Sequence, residues 1–120
     1  MKKTHDERFR KSERLLKRKE FLRVQKEGVR VYTDHFVILI AQGAGVGYHR
    51  LGITVSKKVG SSVRRNRIKR LIREFFRTHK REILPSYMPM GADIVVIVKP
   101  ACPYMKLEEV ARELGSCLLK

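Results

Sequence analysis

The chain has 120 residues, of which 42% are hydrophobic, so it is long enough for one domain with a modest core and too apolar for a disordered basic tail. It has no apolar run of the roughly 20 residues that a membrane-spanning helix needs, and its charged N-terminus is unlike a secretory signal, so we expect a cytoplasmic protein with no membrane partner. With 28 Lys and Arg against 12 Asp and Glu, the net charge of +16 predicts a polyanionic partner.

The N-terminal quarter of the chain is basic and contains one predicted helix. We interpret residues 1–11, which are mostly polar and charged, as a flexible basic arm, and residues 12–120 as a single domain. Ser12 is a suitable N-cap and Gly28 a suitable C-terminal stop, so the first helix is predicted between them. The first 30 residues carry a net charge of +7.

The next part of the sequence predicts strands. Residues 29–32 and 36–41 are rich in β-branched and aromatic side chains, and a third strand is predicted at 50–55. The glycine-rich segment 43–47 between them is typical of a hairpin connection. A phosphate-binding loop is the alternative, but no Gly-Lys-Ser or Gly-Lys-Thr follows, so the turn is favoured.

A long amphipathic helix is predicted from Ser61 or Ser62 to a point before Pro85. Its apolar side chains follow the i, i+3, i+4, i+7 spacing of one buried stripe: Ile68, Leu71, Ile72, Phe75, Phe76 and His79. A buried strand at 94–98 and a C-terminal helix from 107 to 118 complete the series. These elements predict an α+β two-layer sandwich, with three helices and a mixed sheet of about four strands.

The long helix carries cations opposite its apolar stripe. Residues 57–81 hold 11 basic side chains and a single acid, Glu74, for a net charge of +10. Ordinary solvated helix faces mix both signs, because like charges at i,i+4 are destabilising. Arg64, Arg65 and Arg67 also crowd the positive end of the helix dipole, where acids are favoured. This arrangement predicts a surface that binds phosphates.

Two uncharged residues add to this prediction. Asn66 can donate and accept hydrogen bonds to a base or a 2′-hydroxyl, with a solvated polar residue as the alternative. Phe21 is the best candidate for stacking on single-stranded RNA, because its helix is thinly apolar and rich in lysine and arginine.

The sequence provides no arrangement of catalytic or metal-binding residues. Serine, histidine and acid side chains do not occur at spacings that indicate a hydrolytic site, and carboxylates for a metal are not clustered. Cys102 and Cys117 lack Cys-x-x-Cys spacing and are expected to be reduced packing residues. The scattered histidines do not predict a metal site.

The segment Ser56–Gly60, followed by Val63–Phe76, resembles the signature of the bacterial ribonuclease P protein subunit. The core of that signature is an Arg-Asn-Arg motif, which residues 65–67 match. The first helix, the first long strand and the last strand agree as well, so the resemblance covers roughly residues 14–118.

The resemblance implies a sandwich with a left-handed βαβ crossover, contrary to the general right-handed preference. It also implies the protein cofactor of a ribozyme, in which a catalytic RNA subunit removes the 5′ leader from precursor tRNA. Magnesium ions would be held mainly by the RNA, and no protein oligomer is required. The lack of catalytic residues on this chain is then expected.

The resemblance further implies roles for individual positions. Residues matching the helix that binds the RNA subunit are Arg65, Asn66, Arg67, Lys69, Arg70 and Arg73. Residues matching the cleft for the single-stranded leader are Phe21, Val37, Thr54 and Lys58. Additional basic contacts are expected from Lys57, Arg64 and Arg77. Two aromatic positions of the family are replaced here by Gln25 and Leu39, so leader stacking is expected to be weaker or differently distributed.

Two other classes of protein compete with this interpretation. One is a non-enzymatic RNA-binding module, such as a ribosomal protein of similar topology. The other is a DNA-binding regulator, although no short helix-turn-helix pair precedes the basic helix. The Arg-Asn-Arg motif and its Ser-Lys-Lys lead-in favour the ribozyme subunit.

Overall fold

The computed structural model describes residues 9–43, 45, 47–80, 82–83 and 91–119, which form a four-stranded mixed sheet with three helices. The strands are β1 (Val29–Tyr32), β2 (Phe36–Gln42), β3 (Arg50–Val55) and β4 (Ala92–Val98). The helices are α1 (Arg18–Glu27), α2 (Ser62–His79) and α3 (Leu107–Leu118), and short 3₁₀ turns occur at Lys11–Glu13 and Lys57–Val59. The predicted fold class is thereby confirmed, with α2 and α3 on one face of the sheet and α1 on the other.

The first helix begins later than predicted, at Arg18 rather than after Ser12. The reason is that Leu15 is extended beside β3, where its N–H donates to the carbonyl of Leu51 at 2.9 Å and its side chain is only 3% exposed. Leu15 therefore lies in the apolar cluster beneath α1 and is not part of that helix. The predicted end at Gly28 is confirmed.

Of the predicted arm, residues 1–8 lie outside the described residues. Phe9 packs edge-on against Phe76, with ring centroids 5.5 Å apart. The guanidinium of Arg14 lies over the Phe9 ring, 4.9 Å from its centroid. From Phe9 onwards the chain is thus in contact with the core.

The predicted hairpin at 43–47 is wrong, because β4 lies between β2 and β3 in the order β1-β2-β4-β3. β4 pairs antiparallel with β2 and parallel with β3. All of its residues except Ile97 are buried, and a strand buried on both faces is most stable with hydrogen-bonded neighbours on both edges. The N–H of Gly43 accordingly donates to the carbonyl of Gly91, not across a hairpin.

The apolar stripe of α2 packs against the sheet as predicted. Ser61 caps the helix, accepting a hydrogen bond from the Arg64 N–H at 3.3 Å. The buried residues of the stripe are Ile68, Ile72, Phe75 and Phe76, each at most 4% exposed. Leu71 and His79 are half-buried. Fully burying one such apolar side chain is worth about 1.5–3 kcal/mol, so the stripe fixes α2 firmly to the sheet.

Asp93 is a buried acid that ties α1 to the sheet. Its carboxylate is 1% exposed and accepts two hydrogen bonds from Arg50, at 2.9 and 2.8 Å, and one from Arg23 of α1. Arg50 also donates to Glu20 of α1 at 3.1 Å. The Asp93 carboxylate raises the pKa of the Arg50 guanidinium. This network sets where α1 lies on the sheet.

His49 joins the start of β4 to Ile83, which lies four residues after the end of α2. Its Nδ1 accepts a hydrogen bond from the Ala92 N–H at 2.9 Å. The proton is therefore on Nε2, which donates to the carbonyl of Ile83 at 2.6 Å. The residue before Ala92 must be glycine, because Gly91 has a φ of +97° and a Cβ there would collide with the carbonyl of Tyr48.

We expect the free energy of unfolding to fall as the pH drops below about 6.5, the ordinary pKa of histidine. Burial lowers the pKa of His49 in the folded protein, so the unfolded chain takes up the proton first and acid favours unfolding. Above that pH both states are neutral and the contribution is complete. The slope from this single group is at most about 1.4 kcal/mol per pH unit.

Urea unfolding at several pH values checks this expectation. His49→Gln should lose the part of the slope that lies just below pH 6.5, while His79→Gln serves as the matched histidine control. Identical pH profiles for wild type and His49→Gln would contradict the assignment of a neutral, hydrogen-bonded His49.

Candidate nucleic-acid interface

The residues predicted to bind the RNA subunit all lie on α2, as the sequence places them. Of these residues Asn66 and Arg70 are exposed, and the other four are half-buried. Lys57 and Lys58 are exposed in the 3₁₀ turn that precedes the helix. The start of α2 and the turn before it therefore present one cationic surface.

Two arginines at the start of α2 are oriented by the segment that follows β4. Arg64 donates to the carbonyl of Cys102 at 3.2 Å, and Arg67 donates to the carbonyl of Met105 at 2.6 Å. The Arg67 guanidinium also lies over the Tyr104 ring, 3.8 Å from its centroid. Carbonyls and a ring orient these side chains without neutralising them, so their charge stays available to an anion.

Arg65 is held in a similar way, since its Nε donates to the carbonyl of Gly60 at 3.1 Å. Arg77 differs, because it forms a two-point ion pair with Glu74 at 2.6 and 3.1 Å. Hydrogen bonding from Arg77 lowers the pKa of Glu74. Within α2, the cations near its start are thus held by neutral groups, and the one near its end is paired with an acid.

A cavity of about 210 Å³ lies between the N-terminal segment, α1, β3 and α2. One wall is apolar and includes the Phe21 ring, which packs so closely over Gly52 that a Cβ there would lie 2.6 Å from Phe21 Cζ. The cationic wall consists of Arg14, Lys69 and Arg73. The cavity brings together a predicted leader-binding residue and two predicted RNA-subunit-binding residues.

The cationic wall of this cavity has no internal counter-charge. Among the residues that the structure describes, Arg14, Lys69 and Arg73 form no ion pair with a carboxylate. Partial burial, and to a lesser degree the charge of Arg14, lower the pKa of Arg73. Like charges held together in a half-buried site favour an anion between them. The cavity is therefore suited to a phosphate beside an apolar wall.

The four predicted leader-binding residues are placed in different surroundings. Val37 and Thr54 lie in one row across the sheet, on either side of Ile97. Phe21 is half-buried above the neighbouring row, and Lys58 is exposed in the 3₁₀ turn. The structure thus places Val37 and Thr54 in one row, and it places Phe21 over Gly52 of β3 on the same face of the sheet.

Sequence reasoning missed three contributors to this surface. Arg14 carries no feature that singles it out in the sequence, and Phe9, which lines the same cavity, falls within the predicted arm. Tyr104 follows Pro103 in a segment without regular periodicity, and nothing in its spacing indicates contact with α2. The signal that the sequence offers is an aromatic residue in a loop that contains two prolines, Pro100 and Pro103.

The described ranges also bear on metal binding and on membrane insertion. No three His, Cys, Asp or Glu side chains converge there as ligands for a metal, and no helix there is both long and apolar enough to span a membrane. Cys102 and Cys117 form no disulfide. Burial raises the pKa of the Cys102 thiol, as expected for a packing residue.

A sequence model of the family Ribonuclease P matches residues 9–120. The ribonuclease P protein component of Syntrophus aciditrophicus (strain SB) is 46% identical over 112 residues, which are 93% of this chain and 89% of that protein. The ribonuclease P protein component of Thermotoga maritima is 44% identical over 103 residues, or 86% of this chain and 79% of its own length.

Solved structures show the same similarity. The RNase P protein from Staphylococcus aureus superposes with a TM-score of 0.78 at 34% identity, covering 92% of this chain and 100% of that one. The RNase P protein from Thermotoga maritima gives a TM-score of 0.74 at 37% identity, covering 88% and 94% of the two chains. The similarity thus extends over almost the whole chain in both sequence and fold.

Proposed function

This chain belongs to the bacterial ribonuclease P protein family, and from that premise we propose how its surfaces divide the binding of RNA. It is the protein component of ribonuclease P, an endoribonuclease that processes tRNA, and its partner is the RNA subunit of that enzyme. No observation favours the alternatives of a ribosomal-type module or a DNA-binding regulator. We place the holoenzyme in the cytoplasm and require no second copy of this chain.

The cationic start of α2 binds the catalytic RNA subunit in this proposal. The observation that carries it is the set of arginines held by carbonyls and a ring rather than by acids. Such side chains are already oriented, so little conformational entropy is lost when a phosphate binds. The residues assigned to this contact are Arg64, Arg65, Asn66, Arg67, Lys69, Arg70 and Arg73, with Lys57 beside them.

The face of the sheet beside α1 binds the 5′ leader of precursor tRNA. Phe21 lines the cavity whose cationic wall is Arg14, Lys69 and Arg73, so a base and its phosphate find an apolar and a positive surface together. Val37 and Thr54 continue the same face of the sheet. The leader therefore enters beside α2 and continues across the strands.

The chemical step belongs to the RNA subunit. The described surface proposed to meet RNA is cationic, and magnesium is commonly held through phosphate oxygens and water. We assign magnesium to the RNA, and no step of the proposal requires a metal on this protein. The contribution of the chain is to orient and hold the two RNAs.

The experiment that tests this function is reconstitution with the RNA subunit. At low magnesium, the purified chain should raise the rate of cleavage of precursor tRNA. It should also increase affinity for a leader-bearing substrate over mature tRNA. No stimulation would contradict the role as protein component, and equal affinity for both substrates would contradict the leader site alone.

Arg67→Ala is expected to weaken binding to the RNA subunit and to reduce the salt dependence of that binding by about one counterion. Its guanidinium is held in place by the Tyr104 ring and the Met105 carbonyl without a paired acid, so its loss removes one proposed phosphate contact. Binding titrations over a range of salt concentrations measure the slope. Arg112→Ala, an exposed arginine of α3, should leave the slope unchanged; an unchanged slope for Arg67→Ala would exclude it from the contact.

A further inference from the structure

The face of the sheet beside α1 contains two rows of paired residues that differ sharply in exposure. The first row runs Gly52, Val95, Leu39 across β3, β4 and β2, and both Val95 and Leu39 are 0% exposed, because they lie in the apolar cluster that α1 covers. This burial also means that Leu39 has no surface available to a base.

The second row lies just beyond the cover of α1 and is open. It runs Thr54, Ile97, Val37, Tyr32 across all four strands. Thr54 is exposed, and Ile97 and Val37 are half-buried. With strands about 4.8 Å apart, the three spacings from Thr54 to Tyr32 span roughly 14 Å. The row forms an open floor across the sheet.

Tyr32 ends this row on the edge strand β1, and its side chain is 64% exposed. The Lys99 ammonium lies 6.0 Å from the ring centroid and is held there by donating to the carbonyl of Thr33 at 2.6 Å. Arg30, two residues earlier on β1 and exposed, shares the same face of the sheet. An exposed ring between two cations has the composition of a stacking site for single-stranded nucleic acid.

We propose that Tyr32 stacks on an unpaired base of the precursor tRNA leader, at the far end of a path that crosses the sheet along Thr54, Ile97 and Val37. The inference rests on the leader site proposed above and extends it by one end point. Lys99 and Arg30 neutralise the phosphates on either side of the stacked base. The aromatic surface that Gln25 and Leu39 do not provide is supplied here by β1.

The test is the affinity of the reconstituted holoenzyme for precursor tRNAs that carry a graded series of leader lengths. Tyr32→Ala should weaken binding by about 5- to 150-fold once the leader is long enough to reach β1, as loss of one stacked base does. Shorter leaders and mature tRNA should bind as to wild type. Tyr32→Phe, which keeps the ring, should restore the affinity for long leaders.

Val29→Ala is the matched control, because Val29 is 67% exposed on the same strand but pairs with Ile40 on the opposite face. It should not change affinity at any leader length. If wild type prefers long leaders and Tyr32→Ala does so equally, this inference is overturned while the leader site stands. Loss of affinity for mature tRNA as well would overturn it in favour of a structural role. Wild type without any leader preference would overturn both proposals.

Discussion

Asp93→Ala is expected to lower the free energy of unfolding by about 3–5 kcal/mol, because it removes the buried acid of an ion-pair network. Arg50 and Arg23 would then be left with only the more exposed Glu20 and Glu27 as partners. The Asp93 carboxylate is 1% exposed and accepts hydrogen bonds from Arg50 and Arg23. Domains of this size are stable by roughly 5–15 kcal/mol. The variant therefore loses a large fraction of its stability, and α1 loses its tie to the sheet.

Urea unfolding followed by circular dichroism measures this loss. Glu27→Ala is the matched control, since Glu27 pairs with the same Arg23 at 3.0 Å but its side chain is 57% exposed; its cost should stay within about 1 kcal/mol. Asp93→Asn keeps the shape and removes the charge, and should be nearly as destabilising as alanine. A cost below that of Glu27→Ala would contradict the structural role of Asp93.

Arg73→Gln is expected to weaken binding of RNA by about tenfold or more while leaving the free protein at least as stable as wild type. A hydrogen bond to a charged group is worth about 1.5–3 kcal/mol, and this contact to phosphate is lost. In the free protein Arg73 is half-buried beside Arg14, so its charge is unfavourable there. Residues that serve binding are often unfavourable for stability in this way.

Two measurements on the same protein separate these effects. Unfolding in urea gives the stability of the free chain, and titration with the RNA subunit and with leader-bearing tRNA gives the affinity. Arg70→Gln, an exposed arginine of the same helix, should weaken binding without any gain in stability. A strongly destabilised Arg73→Gln would show that Arg73 is a packing residue instead.

Local patterns in the sequence predicted most of the fold. The stripe of α2 and the Ser61 cap are set by neighbours within a few residues, so periodicity and capping rules find them. The start of α1 was missed because Leu15 bonds to Leu51, far away in sequence. The hairpin at 43–47 was predicted for the same reason, since nothing local shows that β4 lies between β2 and β3.

The site was predicted on one helix and missed wherever it depends on distant contacts. The cationic residues of α2 are visible as an unbalanced charge face. The cavity needs Arg14 and Phe21 to meet Lys69 and Arg73, and the support of Arg67 needs Tyr104. These pairings follow from how α1 and the segment after β4 lie against α2, which no spacing rule contains.

The position of β4 between β2 and β3 also has a consequence during synthesis. Until Val98 has left the ribosome, β3 has no neighbouring strand. Among the described residues made before it, those that pair with its backbone are Arg14 and Leu15. At roughly 5–20 residues per second, the interval from Val55 to Val98 lasts roughly 2–9 s. During that time α2, with its apolar stripe, emerges before the sheet that buries it is complete. The sheet is therefore completed late, and transcripts that pause translation within this interval should leave the apolar stripe of α2 open to aggregation.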